Sequence, residues 1–275
     1  MIETIPNVSE GRRADVLDAL RAAVAAVPGL LLLDHSADPS HNRAVYTMAG
    51  GEAAVFEAVM RLYEVALAQI DLRHHHGVHP CIGAVDVVPF VPLGSTPMTA
   101  CVDLSHRVGA AVANRFGVPV YLYESSASSP ERRRLETIRR GGFAGLAAKL
   151  ARPEWRPDYG PATPHASAGA SVIGARKPLI AFNVNLASDH VEAARAIAAA
   201  VRESSGGLPC VKALGLPLRH RGLAQVSMNL TDVERTPLVD AFDTVVKEAQ
   251  ARGERVLESE LIGLLPAAAL AGRSE

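Results

Sequence analysis

LIAFNVNLASDHVEAARAIAAAVRE, Leu179 to Glu203, is the stretch on which the fold turns. Leu179 to Leu186 reads as a strand, and His190 to Glu203 as a helix packed behind it. Asn183 and Asn185 stand two apart on that strand and therefore face one side of a sheet. Downstream, Cys210 to Leu216 and Leu223 to Leu230 form a strand pair, Asp232 to Ala251 a helix, Val256 to Ile262 a strand, and Leu264 to Ala271 a short final helix. The order is strand, helix, strand, strand, helix, strand.

The same order stands at the front of the chain. Glu3 to Val8 reads as a strand that ends in the polar turn NVSEG, and Arg13 to Val27 carries Val16, Leu17, Leu20 and Val24 at helical spacing before stopping at Pro28-Gly29. Leu30 to Asp34 reads as a buried strand with Arg43 to Met48 as its hairpin partner, Ala53 to Ile70 as a second helix, and Ala84 to Val91 as a strand. Extra elements follow: a helix over Thr96 to Phe116, a strand over Pro119 to Tyr123, and one or two helices over Pro130 to Arg152. Glu154 to Ala175, rich in Pro, Gly, Ser and Ala, reads as a loop or domain boundary. Two split-βαβ sandwiches of α+β class, residues 1–175 and 176–275, are the economical architecture. A single doubly wound sheet would need fewer adjacent strand pairs.

Composition narrows the function. The 275 residues are 21% charged with net charge −1, so no basic footprint for nucleic acid or an anionic membrane is present. The longest apolar run, Ala22 to Leu33, is short and broken by Pro28-Gly29, and early charges (Glu3, Glu10, Arg12, Arg13) do not suit a signal peptide. Cys81, Cys101 and Cys210 are odd in number and far apart, as reduced thiols of a cytoplasmic protein would be.

Polar residues gather where strands end. Asn7, Ser9 and Glu10 close the first strand, and Asp38, His41, Asn42 and Arg43 fill the hairpin connection. Gln225, Ser227 and Asn229 keep one phase, as Asn183 and Asn185 do; a sheet face lined with amides makes a poor core and suits a polar ligand or a hydrated domain interface. Arg176-Lys177 precedes a strand, where two cations can hold a carboxylate or simply form a solvated turn. RHHHGVHPCIGAVDVVPFVPL, Arg73 to Leu93, sets three histidines and then His79-Pro80 before a strand carrying Asp86. His74, His75 and His76 are consecutive and point different ways, and no zinc-type spacing accompanies them, so the expectation is no metal. His79 differs, because Pro80 restricts its backbone and imidazole titrates near neutrality.

With these residues in place, the chain resembles the glutamate formimidoyltransferase family, the transferase part of formiminotransferase-cyclodeaminase. The segments that carry the resemblance are IPNVSEGR (Ile5 to Arg12), DPSHNRAVYTMAG (Asp38 to Gly50), HP-x-IGAVDVVPFVP (His79 to Pro92), VYLYE (Val120 to Glu124), IRRGGFAGL (Ile138 to Leu146), GARKPLIAFNVNL (Gly174 to Leu186), GLPCVKALG (Gly207 to Gly215) and LAQVSMNLTD (Leu223 to Asp232). The resemblance implies two ferredoxin-like subdomains with a cleft between them. It implies transfer of a formimidoyl group from N-formimino-L-glutamate to N5 of tetrahydrofolate, the folate being a co-substrate.

By the same resemblance His79 is the general acid and base, and the segment from Gly160 and Pro161 to Gly169 contacts folate. The amidine of the donor is cationic, and Asp38 or Asp86 would hold it; Arg43, Arg176 and Lys177 would bind carboxylates. Asn7 and Asn42 are further candidates for substrate contact, and Asn183, Asn185 and Gln225 would read the pterin or the amino-acid end. The partners are then small molecules, with room for a homodimer. The chain departs from the family pattern at Cys81 (often Arg), Ala166 (often Pro) and Pro178 (often aromatic), which keeps in view a non-catalytic or substrate-altered binding protein of the same fold.

Overall fold

The structure is a computed structural model that describes residues 1–39, 41–77, 81–218 and 221–262. His79 and the helix expected over Leu264 to Ala271 lie outside the described residues. The chain divides into two compact units, Met1–Arg176 and Lys177–Glu275.

In the first unit, β1 (Ile2–Thr4) and β2 (Asn7–Val8) act as one strand interrupted at Ile5-Pro6. Pro6 has no N–H to give to a ladder, so the break falls there. α1 (Ala14–Ala25), β3 (Leu30–Asp38), β4 (Arg43–Gly50), α2 (Glu52–Gln69) and β5 (Val85–Pro92) follow. The interrupted strand pairs antiparallel with β4 on one side and β5 on the other, and β3 pairs outside β4. This spatial order, β3-β4-β1/β2-β5, is the ferredoxin-like split βαβ arrangement. Val16, Leu20 and Val24 of α1 and Val55, Val59, Leu62 and Ala66 of α2 are buried against Tyr46, Met48 and Phe90 of the sheet. Each such side chain contributes about 1.5–3 kcal/mol by leaving water.

The sheet then extends beyond this core. α3 (Met98–Phe116), β6 (Val120–Glu124), α4 (Leu135–Arg139), α5 (Gly142–Leu150) and β7 (Ser171–Ala175) follow β5. β7 inserts between β5 and β6 and runs parallel to both. The loop expected over Glu154 to Ala175 is therefore wrong in its last five residues. Ile173 packs in the main core with α3, whereas Val172 packs with Tyr121, Tyr123, Ile138 and Leu146 in a separate cluster on the other face. A parallel strand covered on both faces has no apolar–polar alternation to reveal it, and SVIGA is short as well.

The second unit repeats the split βαβ order without an extension. β8 (Ile180–Leu186), α6 (Val191–Val201), β9 (Val211–Leu218), β10 (Leu223–Leu230), α7 (Leu238–Gln250) and β11 (Val256–Ile262) form an antiparallel sheet in the order β11-β8-β10-β9. Ile180, Phe182, Val184 and Leu186 join Val226, Met228 and the helices in the core. Asn185 lies opposite Gln225 and Asn183 opposite Ser227, so the amides do share the other face. Two sheets rather than one doubly wound sheet make the chain an α+β protein. Among the described residues no helix is long and apolar enough to cross a membrane.

Gly215 on β9 lets α6 approach, since a Cβ there would collide with the backbone of Ala194 and Arg195. Gly215→Ala is expected to destabilise the chain by about 1–3 kcal/mol, the usual cost of overpacking. An unchanged urea midpoint would show that α6 yields without cost.

Candidate active site

Asn42 ties together the loops at one end of the first sheet. It is 8% exposed and sits at φ 50°, a left-handed conformation that asparagine tolerates better than most residues. Its Oδ1 accepts the Gly11 N–H at 2.9 Å, its Nδ2 donates to the His76 carbonyl at 3.3 Å, and its own carbonyl lies 2.9 Å from His75 Nε2. A carbonyl only accepts, so His75 Nε2 carries the hydrogen and Nδ1 is the other face of that ring. Gly11 and Gly77 permit this closeness: a Cβ on either would overlap the backbone of the 38–43 turn. The segments 9–12, 38–43 and 74–77 are thus one structure, with Asp38 and Arg43 opposite each other across the hairpin. A cavity of about 350 Å³ opens beside it, lined by Glu10, Arg12, Arg13, Asn42, His74 and His75 among others.

The charges at this end are largely committed. Burial alone would raise the Glu10 carboxyl, but the backbone N–H groups of Arg13 and Arg12 and the Arg13 guanidinium outweigh it, holding Glu10 below its ordinary range. Asp86 is 2% exposed; its Oδ1 accepts the N–H of Ile82 at 2.8 Å and of Gly83 at 3.2 Å, and its Oδ2 pairs with Arg139. Burial, and then the Arg139 cation, push Arg43 down, while Asp86 and Asp38 pull it back. Burial, and next the Asp86 charge, raise the Cys81 thiol, the direction that lowers a cysteine's reactivity. His74 Nδ1 points toward Asp71 at 3.5 Å while His75 turns to Asn42, so neighbouring members of the histidine run go separate ways. Among the described residues no three His, Cys, Asp or Glu side chains group as metal ligands would.

The segment 160–169 reaches this end only at its tail. The Ala170 N–H donates to the Ile82 carbonyl at 2.8 Å, the Ala84 N–H to Ala168 at 3.0 Å, and the Leu72 N–H to Ser167 at 2.8 Å. Gly83 and Gly169 face each other there, and a Cβ on either would overlap the opposite backbone. Gly160 packs against Val118 and Pro119, and Pro161 is exposed. Asn7 donates to its neighbour's carbonyl, Ile5 O, at 3.0 Å, a local brace at the strand interruption.

In the second unit Asn185 is fully buried, with three bonds to its amide: Nδ2 donates to Glu258 at 2.9 Å and Glu260 at 3.0 Å, and Oδ1 accepts from Gln225 at 2.9 Å. Arg221 donates to the same two glutamates. Lys177 Nζ lies 2.8 Å from both Asp232 and Glu234. Arg176 belongs to the first unit, where its N–H donates to Phe90 and its charge partly offsets the burial that raises Glu3. Arg139, Glu258 and Glu260, which bond the candidates Asp86 and Asn185, are not among the candidates the sequence offers. A lone Asp in an apolar strand signals that a cation must exist, but not which of 28 lysines and arginines supplies it.

Comparison with known proteins gives two matching family models: "Formiminotransferase domain, N-terminal subdomain" over residues 1–176 and "Formiminotransferase domain" over residues 181–274. The chain is 44% identical over 270 residues to glutamate formimidoyltransferase of Streptococcus pyogenes serotype M1, covering 98% of this chain and 90% of that one. It is 41% identical over 272 residues to glutamate formimidoyltransferase of Thermoplasma acidophilum, covering 98% and 89%. To formimidoyltransferase-cyclodeaminase of Sus scrofa it is 43% identical over 276 residues, covering 98% of this chain and 51% of that one.

Two stability tests follow from the loop junction. Asn42→Ala loses a buried acceptor, costing about 1–3 kcal/mol, and places a Cβ residue in left-handed backbone without the asparagine's local bonding, about 1–2 kcal/mol more. Asn42→Gly keeps only the first loss, so urea denaturation should rank wild type above Gly above Ala. Glu10 has a folded pKa below its ordinary 4.5, so its stabilisation is present above that pH and fades as pH falls through the folded value. Wild type should therefore exceed Glu10→Gln in stability at neutral pH, with the gap closing below pH 4.5; a gap constant with pH would contradict the ion pair's role.

Proposed function

The chain belongs to the formiminotransferase family, and we propose that it moves a formimidoyl group from N-formimino-L-glutamate to N5 of tetrahydrofolate. The observation that carries this is the match, over 98% of the chain, to two glutamate formimidoyltransferases at 44% and 41% identity. Folate enters as a co-substrate that is consumed.

In the reaction the N5 amine attacks the formimino carbon and forms a tetrahedral adduct, which collapses by breaking the bond to the glutamate nitrogen. One proton leaves the attacking amine and one must reach the departing amine. His79 performs both transfers in turn, since an imidazole near neutral pKa is competent as base and then as acid. Of the two carboxylates considered for the amidinium, Asp38 is preferred because it is exposed on the hairpin, where it accepts the His41 N–H at 2.9 Å, whereas Asp86 is buried. Arg43, beside Asp38, is suited to a substrate carboxylate, as a guanidinium can fork onto both oxygens. Asn185 and Lys177 fit a supporting role better than a direct one, because their polar atoms already bond protein partners. Asn183, which is only partly buried on the same sheet face, keeps its candidacy for ligand contact.

The rival reading, a binding protein without turnover, rests on Cys81, Ala166 and Pro178 alone. Against it, the relatives that match over nearly the whole chain carry the transferase name.

Replacing His79 by alanine should abolish transfer while leaving tetrahydrofolate binding, measured by calorimetry, nearly intact. Turnover near the wild-type rate in that variant would remove His79 from the mechanism. Tetrahydrofolate binding by wild-type protein with no transfer from formiminoglutamate would instead favour the rival reading.

A further inference from the structure

Asp86 and Arg139 are a buried ion pair that the transfer chemistry does not use. Their side chains are 3% and 12% exposed. Asp86 sits on β5, in a strand otherwise apolar at that level; Arg139 is the last residue of α4, in the extension between β6 and β7. Removing either partner leaves the other charge uncompensated in the interior. Such a pair is weak evidence for stability as such, so what it holds in place matters more.

What it holds is the turn that follows His79-Pro80 in the chain. Asp86 Oδ1 takes the N–H groups of Ile82 and Gly83. Ser9 Oγ donates to the Gly83 carbonyl at 2.7 Å, and the Ala170 N–H donates to the Ile82 carbonyl. The turn is thus bonded on all sides: by β5 through Asp86, by the NVSEG segment through Ser9, and by the 165–170 segment through Ala170. Of these clamps only Asp86 carries charge, and its second oxygen is oriented by Arg139. The Arg139 Nε is buried and has no hydrogen-bond partner among the described residues, while its Nη2 pairs with Asp86.

We propose that Arg139 is a positioning residue for formimidoyl transfer: by orienting Asp86 it fixes the Ile82–Gly83 turn, from which the chain runs back to His79 and to which the end of the 160–169 segment is stitched. This rests on the transferase reading above. A general acid and base must be placed to within about an ångström, and a misplacement of that size costs roughly 100-fold in rate. The residue itself makes no contact with the reacting atoms in this assignment.

The test compares wild type with Arg139→Gln, which keeps an amide donor but no charge, and Arg139→Lys, which keeps the charge but not the fork. Three quantities are read: kcat and KM for both substrates, the pH profile of kcat, and amide hydrogen exchange by mass spectrometry over residues 81–86 and 165–170. For Arg139→Gln the expected result is kcat down about 10- to 100-fold, both KM values nearly unchanged, a displaced pH profile, and faster exchange in both peptides. Arg139→Lys should recover part of each. Turnover, pH profile and exchange all matching wild type would overturn the proposal. So would a rise in KM for one substrate with exchange unchanged, which marks direct substrate contact. If Arg139→Gln does not fold, Arg139→Lys decides alone: wild-type behaviour in all three readouts overturns it, and an intermediate kcat with faster exchange supports it. Should wild-type protein transfer no formimidoyl group, the transferase reading fails, while exchange over 81–86 still tells whether Arg139 fixes the turn.

Discussion

A single asparagine in left-handed backbone holds together three loops at one end of the first unit. Asn42 gives an acceptor to Gly11, a donor to the His76 carbonyl and its own carbonyl to His75. Loops that meet in a protein interior bring backbone N–H and C=O groups that must be paired. Asparagine meets that need with both polarities on a short side chain, at a φ most residues avoid. Glycines at 11 and 77 then let the backbones approach. Asp38 and Arg43 flank this junction because they are the ends of the strands that Asn42 connects.

A second contact zone joins two segments far apart in sequence. β7 enters the sheet beside β5, and the residues just before it lie against Ile82, Gly83 and Ala84. Gly83 and Gly169 meet without side chains, which brings the 165–170 segment into hydrogen bonding with the turn after His79-Pro80. The extension of the first unit, absent from the second, therefore does more than enlarge a core. It delivers Arg139 to Asp86 and Ala170 to Ile82.

The charge pattern sorts the candidates by what they can still do. Glu10 is held by Arg13, Asp71 by Arg73, Asp86 by Arg139, and Lys177 by Asp232 and Glu234. Asp86 is a buried carboxylate with both oxygens engaged, whereas Asp38 is exposed on the hairpin opposite Arg43 and accepts the His41 N–H. This difference in burial separates residues that stand on equal footing in the sequence.

Much of the architecture was legible from periodicity. The helices over 14–25, 52–69 and 191–201 follow apolar residues at helical spacing, and the shared face of Asn183, Asn185 and Gln225 follows from the two-residue period of strands. The motifs around Asp38 to Arg43 and Cys81 to Asp86 both fall at strand ends of the first unit. What stayed hidden has physical causes. β7 is covered on both faces and shows no alternation. Arg139 reaches Asp86 across 53 residues of chain, a separation no local pattern encodes. The spacing of Asn185 and Gln225 gives their shared face, but only folding brings Glu258 and Glu260 alongside and joins the two amides to them in one hydrogen-bond network. Local spacing determines which side of an element a residue occupies; its partner is chosen by the long-range register of the sheet, and that exists only once the chain has folded.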